Sequence, residues 1–123
     1  MEYFPKASIV YDRFHLMKFV NNAVNETRII ETKDNAFLKG SKYLWLENSK
    51  TLTDKKKARL EELKATNKHL AEAYQMKENF KEFFEKNTRE EAEIFLRDWC
   101  EWVMNSKIEP MKKVVTTIKF HWS

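Results

Sequence analysis

The sequence predicts a mainly α fold, a bundle of five to six helices with at most one short strand near the N-terminus. Three observations carry that expectation. A single glycine occurs in 123 residues, whereas hairpin turns, phosphate-cradling loops and nucleotide fingerprints depend on glycine's positive φ angles. Apolar residues recur at spacings of three and four along most of the chain, the period of an amphipathic helix. Charged residues make up 34% of the chain, but 14% aromatics and five methionines supply more apolar surface than a disordered chain carries. The length suits one domain with a core that needs no disulfide or structural metal. An all-β fold, a Rossmann domain and a P-loop NTPase are all disfavoured.

The elements follow in order. Residues 7–11, Ala-Ser-Ile-Val-Tyr, form a β-prone run between Pro5 and Asp12, and are expected as the one short strand. Taken alone, such a strand has unpaired edges, so it would be irregular, pair with another copy or join the first helix. From Arg13 the period changes. Phe14, Met17, Val20, Val24 and Thr27 mark a helix to about Lys33, with Asp12 at the N-cap position. Asp34 to Thr53 holds Gly40 and the cluster Tyr43, Leu44, Trp45 and Leu46, and reads as a connection with one short helix.

Thr53 is expected to cap a basic helix with Leu60 and Leu63 inward, and Thr66-Asn67 to break it from the next. That next helix places Leu70, Ala73, Met76, Phe80, Phe83 and Phe84 on one face. Thr88–Glu91 and Ser106–Glu109 both match the capping box, in which hydroxyl and carboxylate satisfy reciprocal backbone donors. The first opens a helix with Ala92, Phe95, Leu96, Trp99, Trp102 and Val103 inward. The second opens one with Ile108, Met111, Val115, Ile118 and Trp122 inward and Pro110 in its first turn, where a missing N–H costs least.

Charge is unevenly spread: residues 1–66 carry net +4, residues 67–106 net −3 and residues 107–123 net +3. Lys55, Lys56, Lys57 and Arg59 form the densest basic run, suited to phosphate backbone although a solvated helix face is the commoner use. No stretch approaches the roughly 18 to 20 apolar residues of a membrane span, and the N-terminus lacks a secretory signal pattern. A chain without a membrane partner, located in the cytoplasm, is expected. Cys100, between two tryptophans in Asp98-Trp99-Cys100-Glu101-Trp102, reads as a buried inert thiol.

His15, His69 and His121 share no ligand spacing, and H-x-x-x-H, C-x-x-C and G-x-S-x-G are absent, so zinc sites and nucleophile-elbow hydrolases have no support. Glu90, Glu91 and Glu93 read as solvated or first-turn acids. The one local arrangement with chemical character is Ile9 to Lys18. A carboxylate ending an apolar strand just before a helix is a favourable place for a metal ligand, with His15 and Lys18 following to orient it or a phosphate. On residue chemistry alone, Asp12 as a helix cap is the simpler reading.

Phe4 to Lys18 (F-P-K-A-S-I-V-Y-D-R-F-H-L-M-K), with Asn22-Ala23-Val24 and Arg28, resembles the ISL-three family of bacterial insertion-sequence transposases. The similarity continues through Leu70 to Glu78 with Phe80, and through Trp99, Ser106 to Pro110 and Ile118 to His121. The resemblance implies an RNase H-like DDE catalytic domain, in which three carboxylates hold two divalent ions, Mg2+ or Mn2+, for phosphoryl transfer at DNA ends. Asp12 corresponds to the second carboxylate, as catalytic residue and metal ligand, with His15 and Lys18 in support. Residues 1–12 would then be the end of a core strand, and residues 13–123 the helical insertion between the second and third acids.

By the same resemblance, the first and third acids belong outside these residues. The chain therefore reads as an internal piece of a longer enzyme, inactive alone and expected to bind no metal by itself. Its partners would be transposon-end DNA and, in assembly, further copies of the protein. Lys55, Lys56, Lys57, Arg59 and Trp102 are the candidate DNA contacts; Trp99 and Trp45 could stack on a base as Trp102 could, although Trp99 reads chiefly as core. The alternative is a free-standing small helical module that binds nucleic acid or another protein.

Overall fold

The computed structural model describes the backbone of residues 6–122 and the side chains of residues 15–118. Six α-helices run α1 Lys6–Thr32, α2 Lys42–Leu46, α3 Asp54–Thr66, α4 Lys68–Phe80, α5 Arg89–Met104 and α6 Glu109–Trp122. Short 3-10 turns at Ala36–Leu38, Ser49–Thr51 and Lys81–Glu85 punctuate the connections. No strand occurs among the described residues, and no helix there is long and apolar enough to cross a membrane.

The long helix α1 is the spine, packed against α6, α4 and α2. Its 27 residues contain neither glycine nor proline, so nothing in its interior breaks the hydrogen-bond ladder. Leu16, Val20, Ala23, Val24 and Thr27 are buried along one stripe. The Thr27 hydroxyl donates to the Ala23 carbonyl at 2.8 Å, which removes the cost of burying it.

The expected strand over 7–11 is instead part of α1, the last of the three fates considered for it. The reason is backbone satisfaction. A lone strand leaves its N–H and C=O groups without ladder partners, while helix formation pairs them within the segment. Asp12 consequently lies inside the helix rather than capping it; its side chain, like those of Phe14 and Trp122, is outside the described residues.

Helix α3 begins where expected, the Thr53 hydroxyl accepting the Lys56 N–H at 3.2 Å, and it docks on α4 through Leu60 and Leu63. Asn67 ends α3 and begins α4. It is buried, its amide donating to the Leu63 carbonyl at 2.8 Å and its Oδ1 accepting from Asn35 Nδ2 at 3.2 Å. This polar pin ties the α3–α4 corner to the residues after α1.

Leu70, Ala73, Met76 and Phe80 are buried along α4 as the spacing predicts, followed by Phe83, with Phe84 partly buried. Phe80 and Trp99 meet at 4.7 Å between ring centroids, and Phe83 stacks with Phe95 at 6.5 Å, joining α4, the 81–85 turn and α5. Along α6, Ile108, Met111, Val114, Val115 and Ile118 are buried, as is Pro110 in the first turn.

The two capping boxes differ. Thr88 caps α5, its hydroxyl accepting the Glu91 N–H at 3.1 Å, while Glu91 reaches one residue further back than the motif implies and accepts the Asn87 N–H at 3.2 Å. Ser106 does not cap α6. Its hydroxyl accepts the Ile108 N–H at 3.3 Å and donates to the Val103 carbonyl at 2.6 Å, closing the end of α5 instead.

Candidate nucleic-acid interface

The basic run sits on the first two turns of α3. Lys55, Lys56, Lys57 and Arg59 are all exposed, whereas Leu60 and Leu63, further along the helix, are buried in the core. Lys56 makes one long ion pair, 3.6 Å from Glu47. Cations in a helix's first turn oppose the positive end of the helix dipole, and Asp54 is the only acid there. Apart from the long Lys56–Glu47 pair, the fold therefore gains little electrostatically from three successive lysines at this position. An anionic partner would gain more.

His15 and Lys18 lie three residues apart on α1, and both are exposed. Asp12 stands a further three residues toward the N-terminus on the same helix. Among the described residues no group of three or more His, Cys, Asp or Glu side chains could hold a metal ion. The Asp12 side chain lies outside those residues.

The tryptophans separate clearly. Trp45 is 0% exposed and donates its indole N–H to the Ser41 hydroxyl at 3.1 Å. Trp99 is buried, with its N–H on the Met76 carbonyl at 2.9 Å. Both rings are enclosed in the core, so neither is placed to stack on a base. Trp102 is half-buried on the edge of the core, its N–H donated to Glu72 Oε2 at 3.2 Å. Cys100 is buried, as its surroundings predict.

One cluster is not evident from residue spacing and charge alone. Lys77 is 1% exposed, its ammonium 3.0 Å from Glu78 Oε2 and 4.7 Å from the centre of the Tyr74 ring. Lys64 of α3 lies 4.5 Å from the same ring centre, and Trp45 meets Tyr74 edge-on at 5.8 Å. Glu78 also accepts from Lys81 at 3.1 Å and from the Ser49 hydroxyl at 3.1 Å.

Burial pushes the Lys77 ammonium below the usual lysine range, an effect only partly offset by Glu78. Burial alone would raise Glu78, but the hydrogen bonds and charges of Lys77 and Lys81 outweigh it and hold the carboxyl below its ordinary value. Burial, then the negative charges of Glu78 and Glu61, push the Tyr74 phenol up to about 12. The spacing gives part of the signal: the period that turns Leu70, Ala73, Tyr74 and Phe80 inward also passes through position 77. The cluster is a structural clamp between α3, α4 and the Ser49–Thr51 turn.

A family model described as transposase, that of the ISL-three group, matches residues 1–123. No curated protein and no solved structure matches the chain.

Proposed function

Because the chain belongs to the ISL-three transposase family, we propose that it is the helical insertion of an RNase H-like DDE transposase together with the end of the core segment that carries Asp12. The observation that carries this reading is the family match across all of residues 1–123. In the intact protein the reaction is metal-dependent phosphoryl transfer at transposon ends, with Mg2+ or Mn2+ as the ion. Asp12 is this segment's carboxylate for it, supported by His15 and Lys18. This reading assigns one carboxylate, Asp12, to the segment, so residues 1–123 alone are expected not to cut DNA.

The role of the helices is to hold DNA while the ends are assembled. The exposed lysines and arginine of α3 support this, since they sit where the fold itself gains little from them. Their contact with phosphates is independent of sequence and falls with salt. Trp102 is at most a marginal contact, because its indole edge is committed to Glu72.

The test compares the intact transposase with residues 1–123 on an end-labelled duplex carrying the transposon end. The intact protein is expected to nick the end in Mg2+, and the segment alone to leave it whole. Cutting by the segment alone, or none by the intact protein, would overturn the reading.

A further inference from the structure

The segment between α1 and α2 is built on a fixed base. Leu38 and Trp45 are both fully buried. The Leu38 carbonyl accepts from the Ser41 hydroxyl at 2.6 Å and from Arg28 Nη1 at 3.3 Å, and Ser41 in turn accepts from the Trp45 indole. Asn35 accepts the Phe37 N–H at 3.0 Å and is itself pinned to Asn67. Gly40, at φ +77°, turns the chain between the two anchors; a side chain there would meet nothing, so its role is the backbone angle.

From this base two aromatic rings project. Phe37 is 76% exposed and Tyr43 70%, more than any other large hydrophobic residue among those described. Three lysines are interleaved with them: Lys33 and Lys39 are exposed, and Lys42 places its ammonium 5.5 Å from the Tyr43 ring centre. Asp34 is the only acid between residues 33 and 46. Lysine is depleted from surfaces that bind other proteins. Rings alternating with cations instead suit a strand whose bases stack and whose phosphates carry charge. Bases within a duplex have no free faces, which singles out an unpaired strand.

We propose that Phe37 and Tyr43, with Lys33, Lys39 and Lys42, form a stacking site for unpaired nucleotides of single-stranded DNA. The source of that strand, an opened transposon end, rests on the transposase reading; the binding itself does not. The hydrogen-bonded base fixes the backbone that carries both rings before binding, which lowers the ordering cost when the strand arrives. This site is distinct from the α3 lysines, which have no exposed aromatic among them and suit duplex phosphates.

The experiment uses the 123-residue chain, a fluorescein-labelled oligothymidylate of roughly 20 nucleotides and a matched duplex, read by anisotropy between about 50 and 200 mM salt. Phe37→Ala and Tyr43→Ala are each expected to weaken single-strand binding about tenfold or more, with duplex binding changed less than about twofold. Phe37→Trp keeps single-strand affinity, and the helical circular dichroism of every variant is unchanged because both rings are exposed. Lys39→Gln with Lys42→Gln flattens the salt dependence by roughly 0.7 per lysine. Equal single-strand affinity in the wild type and both alanine variants would overturn the site. So would alanine variants that change self-association in sedimentation without DNA while leaving oligonucleotide binding intact, since the face would then join copies of the chain. Failure of the transposase reading appears separately, in the cleavage assay, and leaves these affinities untouched.

Discussion

Trp99 donates its indole N–H to the backbone carbonyl of Met76 at 2.9 Å, across the contact between α5 and α4. Both residues are buried, and Phe80 packs on the indole. Trp99→Phe therefore removes a buried hydrogen bond between the two helices and opens a small void. The expected cost is about 2 kcal/mol by urea denaturation. Trp102→Phe, at the half-buried edge with an exchangeable Glu72 partner, is expected to cost under about 1 kcal/mol.

The clamp at Lys77 and Glu78 is expected to respond asymmetrically. Glu78→Gln removes the charge facing a fully buried ammonium and is expected to destabilise by about 3 kcal/mol. Lys77→Met leaves Glu78 with Lys81 and Ser49, replaces a buried ion with a chain of similar volume, and is expected to cost far less or to stabilise. Paired denaturation curves read the difference. Equal losses in the two variants would contradict the assignment.

Stability should also depend on pH at both ends of the range. Glu78 titrates lower in the fold than in the unfolded chain, so its contribution is complete above the ordinary carboxylate range and is lost as pH falls through its folded value. Tyr74 titrates higher in the fold, at about 12. Its contribution is complete below the ordinary tyrosine value and is lost as pH rises from about 10 towards 12, on the order of 2 kcal/mol in all. Lys77, lowered by burial, has the opposite slope: its penalty is relieved as pH climbs through its folded value. Tyr74→Phe keeps the ring against Lys64 and Lys77 and should abolish the tyrosine part of the alkaline loss, as read in Tm between pH 9 and 12.

Thr88→Ala removes the hydroxyl that caps α5 and should cost about 1 kcal/mol. Glu91→Ala removes the exposed contact to Asn87 and one of two first-turn acids, Glu90 remaining, and should cost less than about half of that. Thermal denaturation of the two variants checks the order.

Much of the fold was legible because helices are written locally. The three-four spacing marked the buried faces of α1, α4, α5 and α6, and Thr53, Asn67 and Thr88 stand where the chain turns. Other features were not local. Ile9-Val10-Tyr11 has the composition of a strand, but a strand is a property of two segments, and with no partner strand among the described residues it folds as helix. Ser106 fits the capping pattern, yet its hydroxyl is taken by the end of α5. Lys77 is charged and so is not expected inside; its burial rests on Glu78, Tyr74 and the neighbouring helix, which sequence spacing shows only in part. The same holds for the site residues. The basic run of α3 is visible as a run, whereas the exposure of Phe37 and Tyr43 beside a fully buried Leu38 and Trp45 depends on how the Ala36–Leu38 turn and the five-residue α2 are seated.

The central claim is that Asp12 serves the chemistry while the helices that follow serve the DNA. Its most direct test is Asp12→Asn in the intact transposase, assayed in parallel for Mg2+-dependent cleavage of a transposon end and for binding to the same end. Cleavage is expected to fall by several orders of magnitude, with DNA affinity within about threefold of the wild type. Retained cleavage in Asp12→Asn would contradict the account.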